Sequence, residues 1–157
     1  MPRRILIIGL GSIGRRHLKI ARDLYPDIEI AVLRHKRDEV CPKNANYSFC
    51  DIKDALNFEP DIVVVSNPAS MHIDTAKPFA EKGANLIIEK PISVSSEGVI
   101  ELLNICNKNK VKLITGYNLR FTQSLRKFKY LIDQRFIGDV WSVRCEVGNF
   151  LPYWRES

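Results

Sequence analysis

The run Ile5-Leu6-Ile7-Ile8 leads into Gly9-Leu10-Gly11-Ser12-Ile13-Gly14, an apolar strand feeding a G-x-G-x-x-G that opens an amphipathic segment. This stretch constrains the fold more than any other. A buried strand, a glycine turn and a helix in direct succession begin a strand–helix–strand unit whose helix N-terminus faces the end of a sheet. Gly9 allows the tight turn, Gly11 lets the backbone approach a pyrophosphate, and Gly14 lets helix and strand pack closely. The free N–H groups at Ser12, Ile13 and Gly14 and the positive end of the helix attract phosphate. In this context the glycines read as a dinucleotide-binding fingerprint.

The elements that follow keep the same rhythm. Ile13, His17, Ile20, Ala21 and Leu24 recur at helical spacing and form the expected apolar face, and Tyr25-Pro26-Asp27 ends that helix. Ile28 to Leu33 is a second strand, Tyr47 to Cys50 a short third one, and Ile52 to Asn57 a short helix. The β-branched run Ile62-Val63-Val64-Val65 suits a central parallel strand. A helix is predicted from Ala69 to Lys82 with Ile73, Ala76 and Ala80 inward, kinked or broken at Pro78 and stopped by Gly83. Leu86-Ile87-Ile88 is a fifth strand. Ser95 or Ser96 is expected to cap a helix with core face Val99, Leu102, Leu103 and Cys106, and Lys112 to Thr115 is a sixth strand. This alternation predicts an α/β fold, a doubly wound parallel sheet of the Rossmann type, over residues 1–120. At 157 residues and 45% apolar the chain has about the size and core of one globular domain.

The pattern changes after Gly116. Phe121, Leu125, Phe128, Leu131 and Ile132 mark an amphipathic helix, and Gly138-Asp139 a turn. Trp141, Val143, Cys145 and Val147 alternate with polar residues, as in a half-buried strand of an open antiparallel sheet. Residues 121–157 therefore read as a linking helix and the start of a truncated second domain. Its unpaired strand is expected to be disordered, swapped or buried in a dimer.

Cys41, Cys50, Cys106 and Cys145 lie far apart with no C-x-x-C, which favours reduced cytoplasmic thiols over disulfides or a metal site. No apolar run approaches the length of a membrane span, and Met-Pro-Arg-Arg leads into a strand with no signal-peptide pattern. A net charge of +6 suits an anionic ligand. Nucleic acid is the weakest reading of it, because aromatic residues do not interleave with the basic clusters as a stacking platform requires.

Three clusters carry chemistry. In such sheets an acid about twenty residues past the glycines binds the ribose 2′-hydroxyl of NAD, and a basic residue accommodates the 2′-phosphate of NADP. Here Arg34 holds that position, with His35 and Arg37 behind it, which favours NADP while leaving NAD possible; the alternative is a basic loop in solvent with use of both cofactors. Ser66-Asn67-Pro68, with His72, and Glu89-Lys90-Pro91 stand at the carboxyl ends of strands, where ligands bind. Lys90 there could polarise a carbonyl or shuttle a proton, or be an ordinary loop residue.

The order G-x-G-x-x-G, Ser66-Asn67-Pro68-x-x-x-His72, Glu89-Lys90-Pro91 and Gly116-Tyr117-Asn118-Leu119-Arg120-Phe121 resembles the Gfo/Idh/MocA family of oxidoreductases. The tail Ile137-Gly138-Asp139-Val140 and Leu151-Pro152-x-Trp154-Arg155 is also similar. The resemblance implies an N-terminal NAD(P) domain and a C-terminal domain whose open sheet binds substrate and builds a homo-oligomer. It further implies hydride transfer between the nicotinamide and a carbinol of a sugar, cyclitol or nucleotide-linked sugar. By the same resemblance Lys90 is the catalytic lysine and Pro91 follows a cis peptide bond. Glu89, Ser66, Asn67 and His72 line the cofactor, and Asn118 and Arg120 sit near the crevice. The family's second catalytic motif, an Asp followed by a His, is absent from this sequence, so little or no turnover is expected from this chain alone, as a fragment or a shortened gene product. The competing expectation is a non-catalytic dinucleotide-binding sensor or regulator.

Overall fold

Arg4–Ile8 (β1) is apolar at four of its five positions because it runs through the middle of a sheet covered on both faces. The computed structural model describes residues 2–35 and 40–148. After β1 come α1 (Ser12–Leu24), β2 (Glu29–Leu33), β3 (Tyr47–Phe49), α2 (Ile52–Asn57) and β4 (Ile62–Val65). A 3₁₀ turn at Ala69–Met71 leads into α3 (His72–Glu81), followed by β5 (Asn85–Ile88), α4 (Val99–Lys108) and β6 (Leu113–Thr115). The six strands lie in the order β3-β2-β1-β4-β5-β6, each pair parallel. This is the doubly wound Rossmann arrangement, in which strand order reverses between β1 and β4 and a crevice opens at their carboxyl ends.

The two-residue period of the strands divides the core. Ile5 and Ile7 join Ile30, Val32 and Val64 against Leu18 and Ala21 of α1. Leu6 and Ile8 join Val63, Val65, Leu86 and Ile88 on the opposite face, against Ala55, Phe79 and Leu102 of α2, α3 and α4. Each large side chain so buried contributes roughly 2–3 kcal/mol relative to exposure.

Three helical details differ from expectation. On α1 the buried residues are Gly14, Leu18 and Ala21, while Ile20 and Leu24 are exposed, so the inward face is rotated from the predicted one. Gly14 is the cause: it packs directly on the glycine turn, and that contact sets the rotation of the helix. Of the kink or break expected at Pro78, the break does not occur, since α3 runs through it. The carbonyl that the proline leaves without its helical donor belongs to exposed Asp74, where water can replace it, while buried Ala76, Phe79 and Ala80 hold the turn in place. Neither Ser95 nor Ser96 caps α4; Gly98, in a left-handed conformation at φ 73°, does so without a side-chain bond, and Leu103 is exposed rather than in the core. Gly83 follows the end of α3 as expected.

Asp61 ties the start of β1 to β4. Its Oδ2 accepts the N–H groups of Arg3 and Arg4 at 2.6 and 2.9 Å. Burial pushes this carboxyl upward, but those two donors and the charges of Arg3 and Arg4 outweigh it and hold it below the usual carboxylate range. A depressed folded value means that the contribution is present above the unfolded value, about 3.9, and is lost as pH falls through the folded one. Acid unfolding of Asp61→Asn, followed by circular dichroism, should therefore show a shallower loss of stability below about pH 4 than the parent chain. Equal slopes would remove Asp61 from the acid response.

The chain divides into two compact units between Tyr117 and Asn118. In the second, a 3₁₀ turn at Asn118–Phe121 precedes α5 (Gln123–Asp133), which bears the expected amphipathic pattern. The strand predicted at Trp141–Val147 is not formed; residues 140–148 adopt no regular element and Trp141 is 96% exposed. Alternation makes a strand only where a neighbour completes its hydrogen bonds, and the described residues of this unit supply none. Among the described residues, no helix is long and apolar enough to cross a membrane.

Candidate functional site: the crevice at the ends of β1, β4 and β5

The turn after β1 is held by backbone contacts. Gly9 has φ 84°, a conformation that disfavours a side chain, and its N–H donates to the Leu33 carbonyl at 3.0 Å. A Cβ on Gly9 would lie 2.7 Å from the Asn67 nitrogen, and one on Gly14 would lie 1.9 Å from the Gly9 carbonyl oxygen. The first turn of α1 thus sits directly on the glycine loop. The Ser66 hydroxyl locks it there, aimed at the carbonyl oxygens of Ile8 at 2.8 Å and Gly9 at 3.0 Å. Ser66 is buried and shapes the loop from behind instead of presenting its hydroxyl to a ligand.

Gly11 is the contrasting position. A Cβ there would meet nothing within 4 Å. Gly11 is also the N-cap of α1, with no side-chain cap bond and no acidic residue in the first turn. The N–H groups of Ser12, Ile13 and Gly14 have no partner within the helix, which begins at the open Gly11 position beside exposed Arg15 and Arg16. An open cradle and an uncapped positive helix end with no acidic residue in its first turn together fit a dinucleotide pyrophosphate.

At the end of β2, Arg34 donates from Nε to Ser48 Oγ at 2.9 Å and from Nη2 to the Val40 carbonyl at 3.1 Å. Its guanidinium is anchored on β3 and the loop before it. His35 is exposed, and Arg37 lies outside the described residues.

On the far side of the crevice the two remaining motifs are joined. Asn67 Nδ2 donates to Thr75 Oγ1 at 3.0 Å, and Pro68 opens the 3₁₀ turn that leads to α3. His72 is buried, with Nε2 2.9 Å from the Asn67 carbonyl oxygen and Nδ1 3.0 Å from that of Pro91. Both ring nitrogens face the backbone, so His72 clamps the loop after β4 to the turn after β5 and offers neither nitrogen to a ligand. That turn carries exposed Lys90 and the cis peptide bond Lys90–Pro91. Glu89 accepts from His17 Nε2 at 2.7 Å and, through Oε2, from the Lys90 N–H at 3.2 Å. Its carboxylate rests against Gly116, where a Cβ would come within 3.0 Å of it. Asn118 and Arg120 fall in the second unit, where Arg120 stacks over the Phe121 ring at 5.7 Å.

His17 is the residue in contact with Glu89 that the motifs did not single out. His17 stands three residues after Gly14, one turn along the helix on the face that the glycine turns inward.

A family model described as "Oxidoreductase family, NAD-binding Rossmann fold" matches residues 3–117. The chain belongs to the Gfo/Idh/MocA family. Within it, inositol 2-dehydrogenase of Rhizobium meliloti (strain 1021) is 29% identical over 144 residues, 89% of this chain and 43% of the relative. The solved scyllo-inositol dehydrogenase from Lactobacillus casei, with bound NAD(H) and scyllo-inositol, is 25% identical with a TM-score of 0.75, over 88% of this chain and 43% of that one. The WlbA dehydrogenase from Bordetella pertussis, in complex with NADH and UDP-GlcNAcA, is 21% identical with a TM-score of 0.76, over 88% of this chain and 44% of that one, a likeness of fold. The chain spans less than half the length of each of these proteins.

Proposed function

We propose that this chain is the cofactor-binding part of an NADP-dependent oxidoreductase acting on a carbinol of a sugar, cyclitol or nucleotide-linked sugar. The observation that carries the reading is the pairing of an open, uncapped glycine cradle with an anchored guanidinium, Arg34, at the end of β2. The cradle takes the pyrophosphate on the N–H groups of Ser12, Ile13 and Gly14, and Arg34 takes the 2′-phosphate. A nicotinamide, when bound, supplies hydride transfer. Lys90 holds the reacting oxygen and carries its proton, on a turn that Glu89 and His72 keep in place. The inositol dehydrogenase relatives support a polyhydroxylated substrate, and NAD(P) as cofactor class agrees with the family.

Titrating the chain with NADPH and NADH by fluorescence tests this directly. NADPH is expected to bind about tenfold or more tighter, the difference that one charge-assisted hydrogen-bond pair supplies. Failure of both to bind would overturn the cofactor reading, and equal affinity would overturn the role of Arg34.

A further inference from the structure

The glycine cradle and the Lys90 turn are built from different parts of the chain, yet one side-chain contact bridges them. His17 lies on α1, the helix whose first turn forms the cradle, and its Nε2 donates to Glu89 Oε1 at 2.7 Å. Glu89 Oε2 in turn accepts the main-chain N–H of Lys90. The pair is largely withdrawn from solvent, with side-chain exposures of 25% for His17 and 13% for Glu89. Glu89 has little room to move, because Gly116 abuts its carboxylate and its own N–H is held by the Val65 carbonyl at 2.9 Å. A carboxylate can only accept here, so Nε2 carries the hydrogen whether the ring is neutral or charged. A rigid helix, a short bond and a confined carboxylate form a continuous linkage from the phosphate end of the crevice to the lysine.

We propose that His17 is a positioning residue that couples anion capture at the N-terminus of α1 to the setting of Lys90, acting through Glu89. This rests on the dinucleotide reading above. Phosphate held on the first turn of α1 steadies the helix in the position from which His17 grips Glu89, and the Lys90 N–H is steadied with it. The ligand end and the reactive end of the site are then set together instead of independently, and by reciprocity a correctly placed Lys90 turn favours the bound position of α1.

The test uses 2′-phospho-ADP-ribose, which fills the phosphate end and lacks the nicotinamide that would touch the lysine turn directly. In ¹⁵N-labelled chain, its binding is expected to shift the Lys90 main-chain amide resonance. His17→Gln, which keeps a donor near the Nε2 position, should retain that shift, and His17→Leu should lose it while binding weakens about five- to tenfold. A Lys90 shift of parental size in folded, ligand-saturated His17→Leu would overturn the coupling. Should His17→Leu fail to fold, Glu89→Ala serves the same purpose: loss of the shift supports the linkage and its persistence overturns it. Absence of any binding by the parent chain would instead overturn the dinucleotide reading, with none of its resonances moving.

Discussion

Gly14→Ala is expected to destabilise the chain by about 3 kcal/mol or more and to abolish NADPH binding. The added methyl carbon would sit 1.9 Å from the Gly9 carbonyl oxygen and 2.8 Å from Ser66 Oγ. The nearest of these is main chain at a turn whose own N–H is committed to Leu33, so it cannot rotate away as a side-chain tip could. Relief requires α1 to lift from the loop. That movement opens the packing of Leu18 and Ala21 on Ile5, Ile7, Ile30 and Val32 and carries the uncapped N–H groups off the crevice. Gly11→Ala is the matched control. At φ −64° alanine is comfortable there, and its methyl group meets nothing within 4 Å, so the melting temperature should be unchanged. The methyl group would nevertheless stand in the space assigned to the pyrophosphate, so binding should still fall. Thermal melting and NADPH titration separate the two: Gly14→Ala moves both and Gly11→Ala only the second. A Gly14→Ala chain that melts and binds like the parent would show that α1 can retreat freely, and would undo the account of the cradle.

The β1–α1 unit was legible because everything that specifies it is local. Four apolar residues, a glycine turn and the opening of a helix lie within ten positions of the sequence. The strand and helix order of the whole sheet followed from the same kind of short-range pattern. The rotation of α1 was not legible, because the apolar count around that helix favours a face including Ile20 and Leu24, while one contact at Gly14 overrides it. The His17–Glu89 bond joins residues 72 positions apart and has no sequence signature beyond the helical spacing from Gly14. Ser66 directly follows β4 and His72 opens α3, but the direction of their side chains was hidden in the sequence. Both spend their polar atoms on backbone carbonyls, which position loops for other groups. The alternation at Trp141–Val147 shows the converse, a strand pattern without the neighbour that would make it a strand.

Arg34→Asp is expected to reverse the cofactor preference, lowering NADPH affinity by about a hundredfold or more while NADH binds as well as before or better. The argument rests on charge and on where the guanidinium is held. Arg34 directly follows β2, whose Leu33 carbonyl receives the Gly9 N–H, so its backbone is fixed relative to the cradle. Its side chain is anchored by Ser48 Oγ and the Val40 carbonyl, which limits the ordering entropy lost on binding. At about 4 Å and an effective dielectric of 20, one unit charge is worth roughly 4 kcal/mol, and a 2′-phosphate carries more than one. NADH has no such group, so removing the cation costs it little. The carboxylate that Arg34→Asp introduces can accept from the ribose 2′-hydroxyl and repels a phosphate. Ser48→Ala should lie between the parent and Arg34→Ala, since it keeps the charge and loses an anchor. The measurement is the ratio of NADPH to NADH dissociation constants across the parent and these three variants. Salt provides an independent check, because an electrostatic preference shrinks as ionic strength rises, whereas one set by shape does not. A ratio that is the same in all four proteins would mean that the basic loop merely faces solvent, and the choice between cofactors would have to come from elsewhere in the crevice.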